Sequence, residues 1–343
     1  MPILMIGTQR SGSNLLRLML NQLPEVAAPH PPHILQRLMP MVAEYGALER
    51  DDNFARLVDD VCQLVELNPV PWEGVTLDRA DVASRCRARS LVAVFGAVYD
   101  ILADAWQKRT WCCKSLANIN YLENIENYFG NDARYIYLFR DGRDVAVSFR
   151  KAVVGEKHFY HIAREWGSTQ RLALKMREHI DPSRFFPVRY EDLTADPEPT
   201  MKGMCNFLGY RYTSSMLDFH RTEEAKKAAG SSELWGNVVN PVMANNSRKF
   251  LREASADDVR IFELEAGDVL DALGYPRFYT RTGEKGRFSE AEVRQFDVEN
   301  KRLKDEVISK VDPEDLKRRD KQAGLVQQIK RRNQSADPAR ARA

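Results

Sequence analysis

The chain has 343 residues, 43% of them hydrophobic and 29% charged, with a net charge of +2. Those proportions are of an ordinary globular protein with one large domain or one domain and an appendage. A balance this near neutral excludes binding to nucleic acid through bulk charge, and no window approaches the roughly 18 apolar residues of a membrane span. The opening "PILMIG" is only strand-sized and lacks a leader's basic segment, so the expected location is cytoplasmic. Cys62, Cys86, Cys112, Cys113 and Cys205 are scattered. They match neither a disulfide framework nor a metal knuckle, and read as reduced thiols.

In chain order, "PILMI" is a strand closed by Gly7, and Ser11 to Leu23 places Leu15, Leu16, Leu18, Met19 and Leu23 at helical spacing. Residues 34–108 read as helical, interrupted by "NPVPWEG" (Asn68 to Gly74), with "RSLVAVFGAVYDILADAW" apolar enough to be a buried helix. "TWCCKS" is a strand before a helix over Leu122 to Phe129. "RYIYLF" is a strand before the turn "RDGRD" and a helix through Val145 to Arg150. "FFPVRY" is a strand, and a later helix starts at Asp196-Pro197 and stops at Gly209. Short apolar strands alternating with helices predict an α/β protein with a central parallel sheet covered on both faces.

Beyond about Arg277 the composition changes. Ser289 and Glu292 form a capping box, and Phe296, Leu303, Val307 and Val311 recur near heptad spacing. The division predicted is a main domain over 1–278, with 34–108 as a helical insertion on the acceptor side, and a charged helical arm over 279–343 ending in a disordered basic tail. The arm reads either as a solvated surface helix or as a docking element, which makes a homodimer one expectation.

Four stretches carry chemistry. "GTQRSGSN" (Gly7 to Asn14) has the G-x-x-x-x-G spacing of a phosphate loop between strand and helix. Ser13 stands where a nucleotide-hydrolysing loop has Lys, and Asn14 where it has the metal-binding hydroxyl. Its cation is Arg10, with hydroxyls on Thr8, Ser11 and Ser13, a set suited to a phosphate-type anion without a metal. In "YLFRDGRDVAVSF", Arg140 ends a strand and Ser148 follows eight residues on, so both can reach a ligand beyond the strand ends. In "VRYEDLTADP", Tyr190 sits at the same rim. "NNSRKFLRE" is a polar turn holding Ser247, Arg248 and Lys249.

The order and spacing of these stretches with "WCCKS" resemble the sulfotransferase family, whose donor is 3′-phosphoadenosine 5′-phosphosulfate (PAPS), from about Pro2 to Phe278. The R-S-G-[ST] loop is most similar to the tyrosylprotein, glycan and bacterial branches. The resemblance implies a P-loop-type three-layer fold. It implies that Arg10, Ser11, Gly12, Ser13 and Asn14 hold the 5′-phosphosulfate, that Arg140 and Ser148 hold the 3′-phosphate, and that Tyr190 flanks the adenine. It further implies that Ser247, Arg248 and Lys249 cover the donor, that Lys114 lies near the transferred group, and that 3′-phosphoadenosine 5′-phosphate (PAP) is the product. Relatives often carry a catalytic Glu where this chain has Pro31, within "VAAPHPPHIL". The expected general base is therefore His33, with His30 the second candidate. His158 and His161 are candidates for shaping the acceptor pocket. The expected acceptor is a hydroxyl of a sugar, lipid head group or other small molecule, or an amine. The competing readings are a P-loop small-molecule kinase and an inactive nucleotide-binding homologue.

Overall fold

Five short strands form one parallel sheet: β1 (Ile3–Gly7), β2 (Val26–Ala27), β3 (Thr110–Cys113), β4 (Arg134–Phe139) and β5 (Phe185–Arg189), in the order β2-β3-β1-β4-β5. This computed structural model describes residues 1–231, 233–244, 246–311 and 313–335. The end of the predicted basic tail, 336–343, lies outside the described residues, as does Asn245.

The strands are nearly continuous apolar runs because helices cover both faces. Side chains alternate across the sheet. Ile3, Met5 and Cys112 join a core with the helices Ser13–Leu20 and Pro197–Leu208. Leu4, Ile6 and Cys113 join another with the 34–108 helices. Adjacent Cys112 and Cys113 thus enter opposite cores, and all five cysteines are free. The chain builds β2 and β3 on one side of β1, then places β4 and β5 on the other. That reversal opens a crevice above the C-terminal end of β1, where open parallel sheets bind ligands.

The insertion is helical as read. Helices Asp51–Glu66 and Leu91–Ala105 flank the proline-containing break, and the second is buried along most of its length. The predicted stop at Gly209 is a left-handed cap with φ 74°. Elements not anticipated include the two-residue strand β2, too short to leave a pattern, the helices Phe159–Arg177 and Glu223–Ser231, and the helix Ala256–Ala272, which has its own capping box at Ser255 and Asp258. The arm forms the helices Glu290–Ile308, with the expected capping box, and Pro313–Ser335. Its most buried apolar residues are Leu325 and Ile329, beyond the heptad-like run, and both pack into the core beside helix Asp51–Glu66. Among the described residues no helix is long and apolar enough to cross a membrane.

Candidate active site

β1 ends at Gly7, whose φ is 136° and where an added Cβ would lie 2.1 Å from the Leu138 carbonyl oxygen. Only glycine fits so close to β4, and the chain turns there into the loop. Gly12, with φ 91°, caps the following helix, and a Cβ on it would meet the Tyr190 ring at 2.4 Å. The loop is thereby pressed against an aromatic face, with the free N–H groups of a helix start beside it. Arg10 itself is left-handed, φ 69°. Among the described residues, the Ser11 hydroxyl and the Asn14 side-chain oxygen are buried without a hydrogen-bond partner. Buried polar atoms of this kind call for a partner such as water or a ligand.

"RDGRD" divides its work between framework and cleft. Arg140 leaves the end of β4, stacks 4.3 Å from the Tyr190 ring centre, and donates to the carbonyls of Arg10 (3.1 Å) and Asn246 (2.5 Å). Arg10 Nε donates to Ser148 Oγ at 2.9 Å. The remaining residues build the support. Asp141 caps helix Gly142–Lys151 and takes two bonds from the buried Arg143 side chain, which also donates to Glu263 at 2.6 Å. Asp144 accepts the N–H groups of Arg248 (2.7 Å) and Phe250 (3.0 Å), tying the late polar turn to the same helix. Gly142 has no room for a side chain, since a Cβ would lie 2.4 Å from Phe262.

Lys114 follows β3 into the cleft. Burial, then the neighbouring Arg17 and Arg10, lowers its pKa to about 7. His33 opens helix Ile34–Leu38 with a left-handed φ of 59°, and its Nδ1 shares a 2.9 Å hydrogen bond with Ser115 Oγ. Burial, Lys114 and Arg37 push its pKa down to about 3. His30 is more deeply enclosed and is also lowered, first by burial and then by Lys114, Arg17 and His33. Its carbonyl accepts from Asn68 Nδ2 and Trp72 Nε1, both at 2.8 Å, which fixes the loop that carries both histidines.

The cleft occupies about 1460 Å³. From the loop, Arg10, Gly12, Ser13 and Asn14 line it; from the end of β3 and the segment before helix Ile34–Leu38, Lys114, His30 and His33; from the far side, Arg140, Ser148, Tyr190 and Lys249. Ser11 is fully buried and, like Ser247 and Arg248, is not in the lining. His161 lines the cleft, whereas His158 packs on Phe296.

Sequence reasoning missed Arg17, whose Nη1 donates to the Ala28 carbonyl (2.8 Å) and pairs with Glu224. An arginine inside "LLRLML" was the available signal, since a buried charge on an apolar helix needs a purpose. It also missed Gln170, which donates to Thr8 Oγ1 at 2.7 Å, and the supporting role of Asp144.

A parallel sheet flanked by helices, with a glycine-bounded loop at its switch point, defines a P-loop-like fold. The model of the sulfotransferase family matches residues 2–214. The chain is 25% identical over 290 residues to protein-tyrosine sulfotransferase 2 of Gallus gallus, covering 80% of this chain and 70% of that protein. Two solved structures share the fold. One is the sulfotransferase domain of the curacin biosynthetic pathway, with TM-score 0.53, 21% identity and 80% and 97% of the two chains covered. The other is that of the Synechococcus PCC 7002 olefin synthase, with TM-score 0.52, 19% identity and 80% and 95% covered. The chain belongs to the sulfotransferase family and is a sulfuryl-transferring enzyme.

Proposed function

We propose that this enzyme takes PAPS as donor and moves its sulfuryl group to a hydroxyl, or an amine, of an acceptor bound beside His33. The observation that carries this reading is the buried Lys114 beside Arg10 in the cleft, whose pKa burial, and then the neighbouring Arg17 and Arg10, lowers to about 7. Crowded, desolvated cations are stable where an anion belongs.

The residues present fit the donor. Arg10, Gly12, Ser13, Asn14 and the buried Ser11 hydroxyl would hold the 5′-phosphosulfate, Arg140 and Ser148 the 3′-phosphate, and Tyr190 the adenine. Lys249 would face the donor from the turn that includes Ser247 and Arg248. Bound PAPS supplies a sulfuryl group on a phosphate leaving group. Lys114 and Arg10 stabilise negative charge as it builds on that phosphate. Neutral His33 accepts the acceptor proton. An anion next to Lys114 offsets the positive field on His33 and moves its pKa back toward a working base. His30, further enclosed, is the second candidate. The loop's lack of a P-loop lysine and metal hydroxyl supports binding without Mg²⁺.

Calorimetric titration with PAP, with and without Mg²⁺ and with ATP as competitor, tests this. Metal-independent binding that is lost in Arg140→Ala is expected. Mg²⁺-dependent preference for ATP overturns the reading in favour of a kinase. PAP binding without any turnover of PAPS would instead make the chain an inactive homologue. Near-wild-type turnover in His33→Ala removes that residue from the mechanism.

A further inference from the structure

Helix Glu223–Ser231 lies beyond the family match, which ends at residue 214, yet one of its side chains governs the loop that carries both histidines. Strand β2, just before that loop, has two residues at the edge of the sheet, where Val26 pairs with Thr110 and Ala27 with Trp111. Past Ala27 the sheet no longer holds the chain. From Ala28 to His33 the sequence is APHPPH, and only Ala28, His30 and His33 carry a backbone N–H. Ala28 is fully buried, so its N–H and its carbonyl both need partners.

Both partners come from helix Ser13–Leu20 and the residue that caps its C-terminus. Arg17 Nη1 donates to the Ala28 carbonyl at 2.8 Å, and Asn21 Oδ1 accepts the Ala28 N–H at 2.7 Å. The two carboxylate oxygens of Glu224 take one of these side chains each. Arg17 Nη1 donates to Oε1, and Asn21 Nδ2 donates to Oε2. Arg17 is fully buried, and among the described residues its Nε and Nη2 have no hydrogen-bond partner, so Nη1 is its anchored corner. Glu224 is in turn fixed by Ala225 and Ala228, which enter the core that helix Ser13–Leu20 also packs into.

This clamp sits close to the groups assigned to the reaction. Arg17 is near enough for its charge to lower the pKa of both Lys114 and His30. Pro29, Pro31 and Pro32 fix φ along the loop, so the placement of Ala28 is carried stiffly onward. The rest of the loop is set by Asn68 and Trp72 on the His30 carbonyl and by Ser115 on His33 Nδ1. Held at Ala28, His30 and His33, the loop brings both histidines to the cleft lining. Misplacing a reacting group by about 1 Å can cost on the order of 100-fold in rate.

We propose that Glu224 is a positioning residue for sulfuryl transfer: through Arg17 and Asn21 it fixes both backbone groups of Ala28, and thereby the two histidines that follow. This rests on the reading that one of those histidines takes the acceptor proton. The test uses the full chain labelled with ¹⁵N in its six histidine rings, with His33 assigned by the signal lost in His33→Gln. At pH 7, where His33 is neutral, the wild type should show one ring tautomer fixed by Ser115. Glu224→Gln turns a donor toward one of the two groups it held, and Asn21→Leu frees the Ala28 N–H. In both variants the His33 nitrogens should move toward the average of two tautomers, while those of exposed His179 stay in place. Release of radiolabelled sulfate from PAPS, with water as acceptor, should slow by about 10- to 100-fold, with the PAP Kd within about twofold of wild type. An unchanged His33 spectrum in both folded variants overturns the clamp. A shifted spectrum with unchanged sulfate release overturns the role in transfer. Failure of the wild type to bind PAP overturns the donor reading and that role with it, whereas the spectrum reports on the clamp by itself, which separates the two failures.

Discussion

The two halves of the cleft are built in opposite ways. The half assigned to the donor comes from short stretches at strand ends, each set by local backbone: Gly12 in its left-handed cap, Arg140 at the end of β4, Asp141 capping the next helix. The wall held by the C-terminal arm is assembled from elements far apart in sequence, with Gln322 on Leu64 and, behind it, Arg332 on Asp60, 258 and 272 residues away. An anion of fixed shape demands particular backbone at particular offsets, and so leaves motifs. A pocket for a variable partner arises from packing and leaves none.

The largest expected effect probes the frame of the donor half. Arg143→Met leaves Asp141 and Glu263 buried without their shared cation, which should destabilise the fold by about 3–5 kcal/mol in urea unfolding and weaken PAP binding with it. Next, Lys114→Ala should reduce turnover roughly 100- to 1000-fold, read by radiolabelled transfer, if the lysine acts on developing charge. A loss confined to donor affinity would make it a ground-state binder. Ile329→Ala, on the arm, should cost about 2 kcal/mol or more of stability from its buried site while leaving the PAP Kd unchanged. A parallel loss of PAP binding would mean that the halves are not independent.

That division also governs what could be read beforehand. Four of the five strands, the loop and the helix stop at Gly209 were legible because turn glycines and apolar runs act over a few residues. The arm was legible as helix but not as a wall. Its heptad-like positions before residue 312 suggested a partner, whereas the docking residues Leu325 and Ile329 lie in a basic, Gln-rich stretch with too few apolar side chains to stand out. Arg17 and Asp144 were hidden for another reason. Their importance lies in which distant groups they meet, Glu224 and the backbone of Arg248, and spacing does not encode that.

The pH dependence of donor binding sharpens the assignment of Lys114. In the free enzyme its pKa is about 7, and an anion beside it raises that value. Binding then takes up a proton above pH 7, so PAP affinity should fall with rising pH by up to about tenfold per unit until the bound-state pKa is passed. Lys114→Met should bind more weakly but with that part of the slope removed. An unchanged slope would place the titrating group elsewhere.

The smallest effect concerns His30. Burial, with Lys114, Arg17 and His33, holds its folded pKa well below 6.5. Below about pH 6.5 the unfolded chain therefore binds a proton that the folded one refuses, and stability falls as pH drops, by at most about 1.4 kcal/mol per unit. His30→Gln keeps a polar side chain without the titration, so its unfolding free energy should decline less steeply between pH 6.5 and 5, compared with wild type by urea denaturation. Equal slopes would show that His30 can be protonated in the folded protein. It would then be open enough to compete with His33 as the proton acceptor, and the boundary between a supporting loop and a reacting one would have to move.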